Sequence, residues 1–174
     1  MDYATRPTNR TEVRLYANIF RSLFHLPLAG PIDPLMLLDR VSEVYGNVDY
    51  EIVEESELPK NVPARCIALN DGGFMLQISE IVFDGAYERH IGGYRMHILH
   101  EIMHPFADKI GFKPIKNKGF KNNEIPSYES LEWIVKAMTG EVLMPYEETE
   151  GLSEKELMEK YGVSQKAAQY RLTY

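Results

Sequence analysis

The chain has a single cysteine, Cys66, in 174 residues, so no intrachain disulfide can form. That usage fits a reducing compartment. No run of about 18 apolar residues occurs, and no membrane-spanning helix is expected. The opening residues MDYATRPTNR hold no apolar core, so no signal peptide is expected there. Positive charge is in deficit: 19 Lys and Arg face 26 Asp and Glu, for a net charge of −7. This disfavours broad nucleic-acid binding, because phosphate recognition needs clustered cations. Internal repeats and low-complexity tracts are absent too, which excludes solenoids and fibrous assemblies. What remains is an ordinary globular composition, long enough to bury one core without staples. A soluble, cytoplasmic, single domain over residues 1–174 is expected.

The apolar pattern divides that domain into three stretches. Residues 1–30 hold an N-terminal helix from about Asn9 to Phe24. Val13, Tyr16, Ala17, Phe20, Leu23 and Phe24 recur there at three- and four-residue spacing. Pro27, Gly30 and Pro31 punctuate the linker after it. The stretch 31–145 opens with a second helix, which Asp33 caps, Pro34 begins and Gly46 closes. The period then falls to two: Val48 to Val53, Ala64 to Leu69 and Phe74 to Ser79 read as strands. Asn70-Asp71-Gly72-Gly73 is a hairpin signal between the last two, and a small antiparallel sheet is expected. From Gly93 to Ile110 a helix is apolar on almost every side, which predicts a central, buried position. Lys109, Lys113, Lys116, Lys118 and Lys121 crowd the region after it as a solvated loop that could attract an acidic substrate segment. Ser127 can cap a further helix ending near Leu143, with Pro145 just beyond. In 146–174, Ser153 with Glu156 makes a capping box for one short helix, and Ser164 caps another. The fold class is α+β, a small sheet packed on a central helix with further helices around it.

The central helix carries His100-Glu101-Ile102-Met103-His104, an H-E-x-x-H pattern. Four residues are a little over one helical turn, so both imidazoles lie on one face and can bind one Zn2+ ion. Glu101 stands beside them, placed to take a proton from a water held by such an ion. A catalytic zinc takes a third protein ligand. The extended pattern H-E-x-x-H-x-x-G-x-x-H fails, since Ala107 replaces its glycine and Ile110 its histidine. Glu124, Glu129, Glu132 and Glu141 are all available downstream. Pro105 directly follows the motif and should kink or end the helix, because it cannot bond back to the Glu101 carbonyl. His97, seven residues before His104, suits either an oxyanion or substrate-orienting role or a packed side chain. Val163-Ser164 with Ala167 and Arg171 suits the second helix of a helix-turn-helix, though the nearly balanced charge of 151–174 favours helix packing.

The segment Gly93-Tyr94-Arg95-Met96-His97-Ile98-Leu99-His100-Glu101-Ile102-Met103-His104 resembles the one leading into the zinc helix of the ImmA/IrrE family. That family's third ligand is a glutamate thirteen residues before the proline of a Leu-Met-Pro ending. Here the ending is Leu143-Met144-Pro145, so the resemblance implies Glu132. The tail Val163-Ser164-Gln165-Lys166-Ala167, then Arg171-Leu172, is similar to the family's C-terminal segment, and the likeness spans about residues 33–172. It implies a zincin-like zinc endopeptidase with His100, His104 and Glu132 on the metal and Glu101 as base. It also implies a protein substrate, a helix-turn-helix repressor of a mobile element or stress response. Helix geometry favours Glu132 over Glu129 as well. Against the stripe Leu131, Val135, Met138 and Val142, Glu132 lies at the border, and Glu129 roughly 60° further toward water. Val135-Lys136 stands where the family has Ala-Asn. With Pro105, it motivates a second reading: a non-catalytic regulatory or interaction protein with a degraded or structural zinc site.

Overall fold

The computed structural model describes residues 2–28, 30–115 and 125–173. Lys116, Lys118, Lys121 and Glu124 lie outside the described residues. In chain order the elements are α1 (Arg10–Leu23), α2 (Pro34–Leu38), α3 (Val41–Tyr45), β1 (Val48–Val53), β2 (Ala64–Ala68) and β3 (Phe74–Ser79). Then come α4 (Glu80–Tyr87), α5 (Gly92–Lys109), α6 (Leu131–Leu143), α7 (Tyr146–Thr149), α8 (Glu154–Tyr161) and α9 (Gln165–Thr173). The fold is α+β, as expected, with a small sheet and several helices.

The sheet is mixed rather than antiparallel. Its order is β1-β3-β2. β2 and β3 form the expected antiparallel hairpin, Cys66 opposite Leu76, and Gly72 takes a left-handed φ of 84° in the turn. β1, however, runs parallel to β3, with Val48 opposite Phe74 and Val53 opposite Ser79. The physical reason is burial. β3 is the most apolar strand, with Leu76 and Ile78 fully buried, and it takes the place flanked on both sides. β1, with Asp49 and Glu51 exposed, is left at one edge, where charge is tolerated.

The helices follow the capping signals with four differences. Asp33 and Gly46 cap as expected, but the helix between them breaks at Asp39-Arg40 into α2 and α3. Arg40 turns its guanidinium to the Phe24 carbonyl at the end of α1. α4, which the sequence did not single out, starts where the Ser79 side chain accepts from the Val82 N–H. Ser130, not Ser127, caps α6; Ser127–Glu129 is a separate 3-10 turn. Finally, α5 does not end at Pro105 but continues to Lys109. Pro105 is buried, and burial of Met103, Phe106 and Ala107 beside it in sequence offsets the missing hydrogen bond.

α5 is central, as its composition predicts. Ile98, Leu99, Ile102, Met103, Phe106 and Ala107 are all buried. It packs on α6, α2, α4 and both strands of the hairpin. Phe20 of α1 meets Phe106 edge-on, with ring centroids 5.4 Å apart. No helix among the described residues is long and apolar enough to cross a membrane.

Candidate metal centre

α5 delivers two imidazoles to one point. The rings of His100 and His104 stand at 86° to each other, and their Nε2 atoms are 3.3 Å apart. α6 delivers a carboxylate to the same point. Glu132, the second residue of that helix, sets Oε2 3.2 Å from His100 Nε2 and Oε1 3.8 Å from His104 Nε2. Zinc bonds of ~2.0–2.1 Å in a tetrahedron place neighbouring donors about 3.3 Å apart. The three side chains therefore fit the ion in number, chemical type and spacing, and their candidate ligand atoms all lie within 4.8 Å of one another.

The electrostatics suit the same role. Burial, reinforced by His100, pushes His104 down to about 4, so its ring is neutral with a free lone pair near neutrality. The hydrogen bond from His100 holds the Glu132 carboxyl below its usual value, so it is ionised. Glu101 behaves differently. Only 7% exposed, it is pushed up to about 7, chiefly by burial. His100 and the Cys66 backbone N–H, which donates to its carboxylate, act against that rise. A carboxyl with this value both takes up and releases protons near neutral pH.

His100, Glu101, His104 and Glu132 all line one cavity of about 500 Å³. Tyr3, Cys66, Phe74 and Phe112 contribute to its walls. The cavity surface is largely apolar, with His100, His104 and Glu132 converging at one point, as small-molecule and peptide sites are built. Sequence spacing alone had no means of finding Cys66 or Tyr3. They reach the site through the β2–β3 pairing and the N-terminal segment, both non-local.

The other candidates fall elsewhere. His97 lies one turn before His100, exposed and outside the cavity lining. Glu129 sits in the 3-10 turn before α6, so the angular comparison with Glu132 on one helix does not apply. Glu132 nevertheless is the glutamate that meets the histidines. Glu141 is buried near the other end of α6, 2.7 Å from Arg171. That pair commits Arg171 to helix packing. Lys109 donates to the Tyr45 carbonyl at 3.1 Å, and Lys113 pairs with Asp108 at 3.5 Å. Pro105 leaves both histidines on one continuous helix.

Against models of known protein families and against curated protein sequences, the chain gives no match.

Proposed function

We infer that this chain is a zinc-dependent endopeptidase of the zincin kind that cuts a helix-turn-helix transcriptional repressor. The observation that carries the reading is the tetrahedral spacing of His100, His104 and Glu132, with the Glu101 carboxyl in the same cavity. The repressor as substrate rests on the resemblance to the ImmA/IrrE family alone. Such a substrate puts the reaction in the cytoplasm, in keeping with the single cysteine.

His100 Nε2, His104 Nε2 and a Glu132 carboxylate oxygen would hold the zinc. When bound, zinc polarises the scissile carbonyl and acidifies water. Glu101 takes the proton of the attacking water onto its carboxylate and then delivers it to the nitrogen of the leaving amine. Its buried position keeps bulk water from competing for that proton. The apolar walls at Phe74 and Phe112 receive side chains of an extended peptide and exclude solvent from the cut bond.

The test is elemental analysis joined to cleavage. Wild type supplied with zinc should retain one ion per chain, and His100→Ala should not. Wild type should cut a helix-turn-helix repressor encoded beside it. Wild type that stays empty after zinc is supplied overturns the reading.

A further inference from the structure

The Glu132 carboxylate is 45% exposed. Its only side-chain hydrogen-bond and ion-pair partners among the described residues are the two histidines. Among the described residues, no other side-chain hydrogen bond or ion pair holds it beside them. Its place is set by the backbone of the first turn of α6, where helix amides have no partner within the helix.

Those amides are satisfied from outside, two of them by the extreme N-terminal segment. The Leu131 N–H donates to the Tyr3 carbonyl at 2.9 Å. The Glu132 N–H donates to Asp2 Oδ1 at 3.1 Å, and the Trp133 N–H to Ser130 Oγ at 3.0 Å. The second Asp2 oxygen accepts from the Ser130 hydroxyl at 2.7 Å, and Oδ1 also accepts from the Tyr3 N–H at 2.8 Å. One carboxylate thus ties the ligand residue's own amide to the residue that caps its helix. Behind it, Ala4 bridges to Ser130 and the Thr5 N–H donates to the Glu129 carbonyl at 2.8 Å. The charge is favourable as well, because an anion at a helix N-terminus meets the positive end of the dipole.

We propose that Asp2 is a positioning residue for the metal centre, fixing Glu132 at ligand distance through its backbone. The inference rests on the zinc reading and adds a contribution from a segment far from the histidines in sequence. Without the Asp2 carboxylate the first turn of α6 gains freedom. Zinc must then order its third ligand on binding, which lowers affinity.

The experiment is zinc competition against a chromogenic chelator on the full chain, with the cobalt(II) absorption spectrum as a readout of ligand geometry. Asp2→Ala should weaken zinc binding by about 10- to 100-fold and change the cobalt spectrum, while the metal-free protein still melts cooperatively. Asp2→Asn keeps an acceptor oxygen and should stay within about threefold of wild type. The proposal fails if Asp2→Ala binds zinc as wild type does. It fails too if Asp2→Asn loses as much as Asp2→Ala, or if metal-free Asp2→Ala is unfolded. His100→Ala separates the two levels of the account. If His100→Ala keeps full affinity, the metal centre itself is wrong, and Asp2 falls with it. If His100→Ala loses zinc while Asp2→Ala keeps it, only the role of Asp2 is wrong.

Discussion

Two glutamates on α6, nine residues apart, meet opposite surroundings. Glu141 is 3% exposed and lies 2.7 Å from the Arg171 guanidinium, whose Nε also donates to Thr149 Oγ1 at 2.9 Å. Arg14 adds a second cation at 3.7 Å, stacked over the Tyr146 ring. The negative charge of Glu141 faces two cations there, and the cavity that Glu141 lines holds only about 10 Å³. Glu132 instead converges with two histidines on a cavity of about 500 Å³. Its side-chain neighbours are two imidazoles, and its amide donates to Asp2. Both residues were equal candidates as third ligand on spacing alone. The difference teaches that a buried carboxylate with its own counter-charge holds a fold together. One set beside two imidazoles at the edge of a cavity has the spacing of a cation site.

The largest effect should come from breaking the closed cluster. Arg171→Ala leaves Glu141 buried without its closest cation and should destabilise the protein by about 3–5 kcal/mol in urea unfolding. Zinc affinity of the folded fraction should be unchanged. An equally stable variant would show that the pair is dispensable and weaken the contrast.

The open cluster should reveal itself through pH. In metal-free protein Glu101 keeps its proton up to about 7, against 4.5 ordinarily. Stability from this group is present below about 4.5 and lost as pH rises through 7. His104, held near 4 against an ordinary 6.5, has the opposite sign. Its contribution is present above 6.5 and lost as pH falls through 4. Between these limits the two largely cancel in the wild type. Glu101→Gln removes one of them, so its metal-free stability should rise by roughly 3 kcal/mol more than wild type between pH 4.5 and 6.5. Parallel profiles in urea titrations at several pH values would contradict this.

Catalysis sharpens the same contrast. If the proposed endopeptidase reading holds, Glu101→Gln should still bind zinc, yet cut a repressor substrate at least ~10² more slowly, equivalent to about 2.7 kcal/mol in the barrier. A variant that cuts at the wild-type rate removes the base from the mechanism. The smallest effect concerns the cavity wall. Burial holds the Cys66 thiol well above its ordinary value, so it is protonated at neutral pH. Iodoacetamide at pH 8 should modify it at least ~10-fold more slowly in folded than in urea-unfolded protein. Equal rates would mean that the wall beside Glu101 is open.

Much of this was legible in local sequence. The four-residue spacing of His100 and His104 puts both rings on one face of a helix, and the Asp71-Gly72 turn closes a hairpin. The capping box at Ser153 and Glu156 closes as written. What escaped was non-local. The parallel pairing of β1 with β3 depends on which strand wins the central place, a competition no single window records. Pro105 reads as a breaker, yet core packing carries α5 past it. Ser127 and Ser130 offer the same cap chemistry, and the pairing of Ala4 with Ser130 belongs to the other end of the chain. Arg21 falls on the apolar face of α1, where periodicity expects a hydrophobe. It is fully buried because its guanidinium donates to the carbonyls of Pro27, Gly30 and Val142, satisfying a carbonyl at the buried C-terminal end of α6.

The most direct measurement is a competitive zinc titration of wild type beside Glu132→Ala, Glu129→Ala and Glu141→Gln. One site is expected in the wild type, with a loss beyond ~100-fold in Glu132→Ala and affinities within about threefold of wild type in the other two. Retained affinity in Glu132→Ala, with loss in Glu129→Ala or Glu141→Gln, would contradict it and move the third ligand off the first turn of α6.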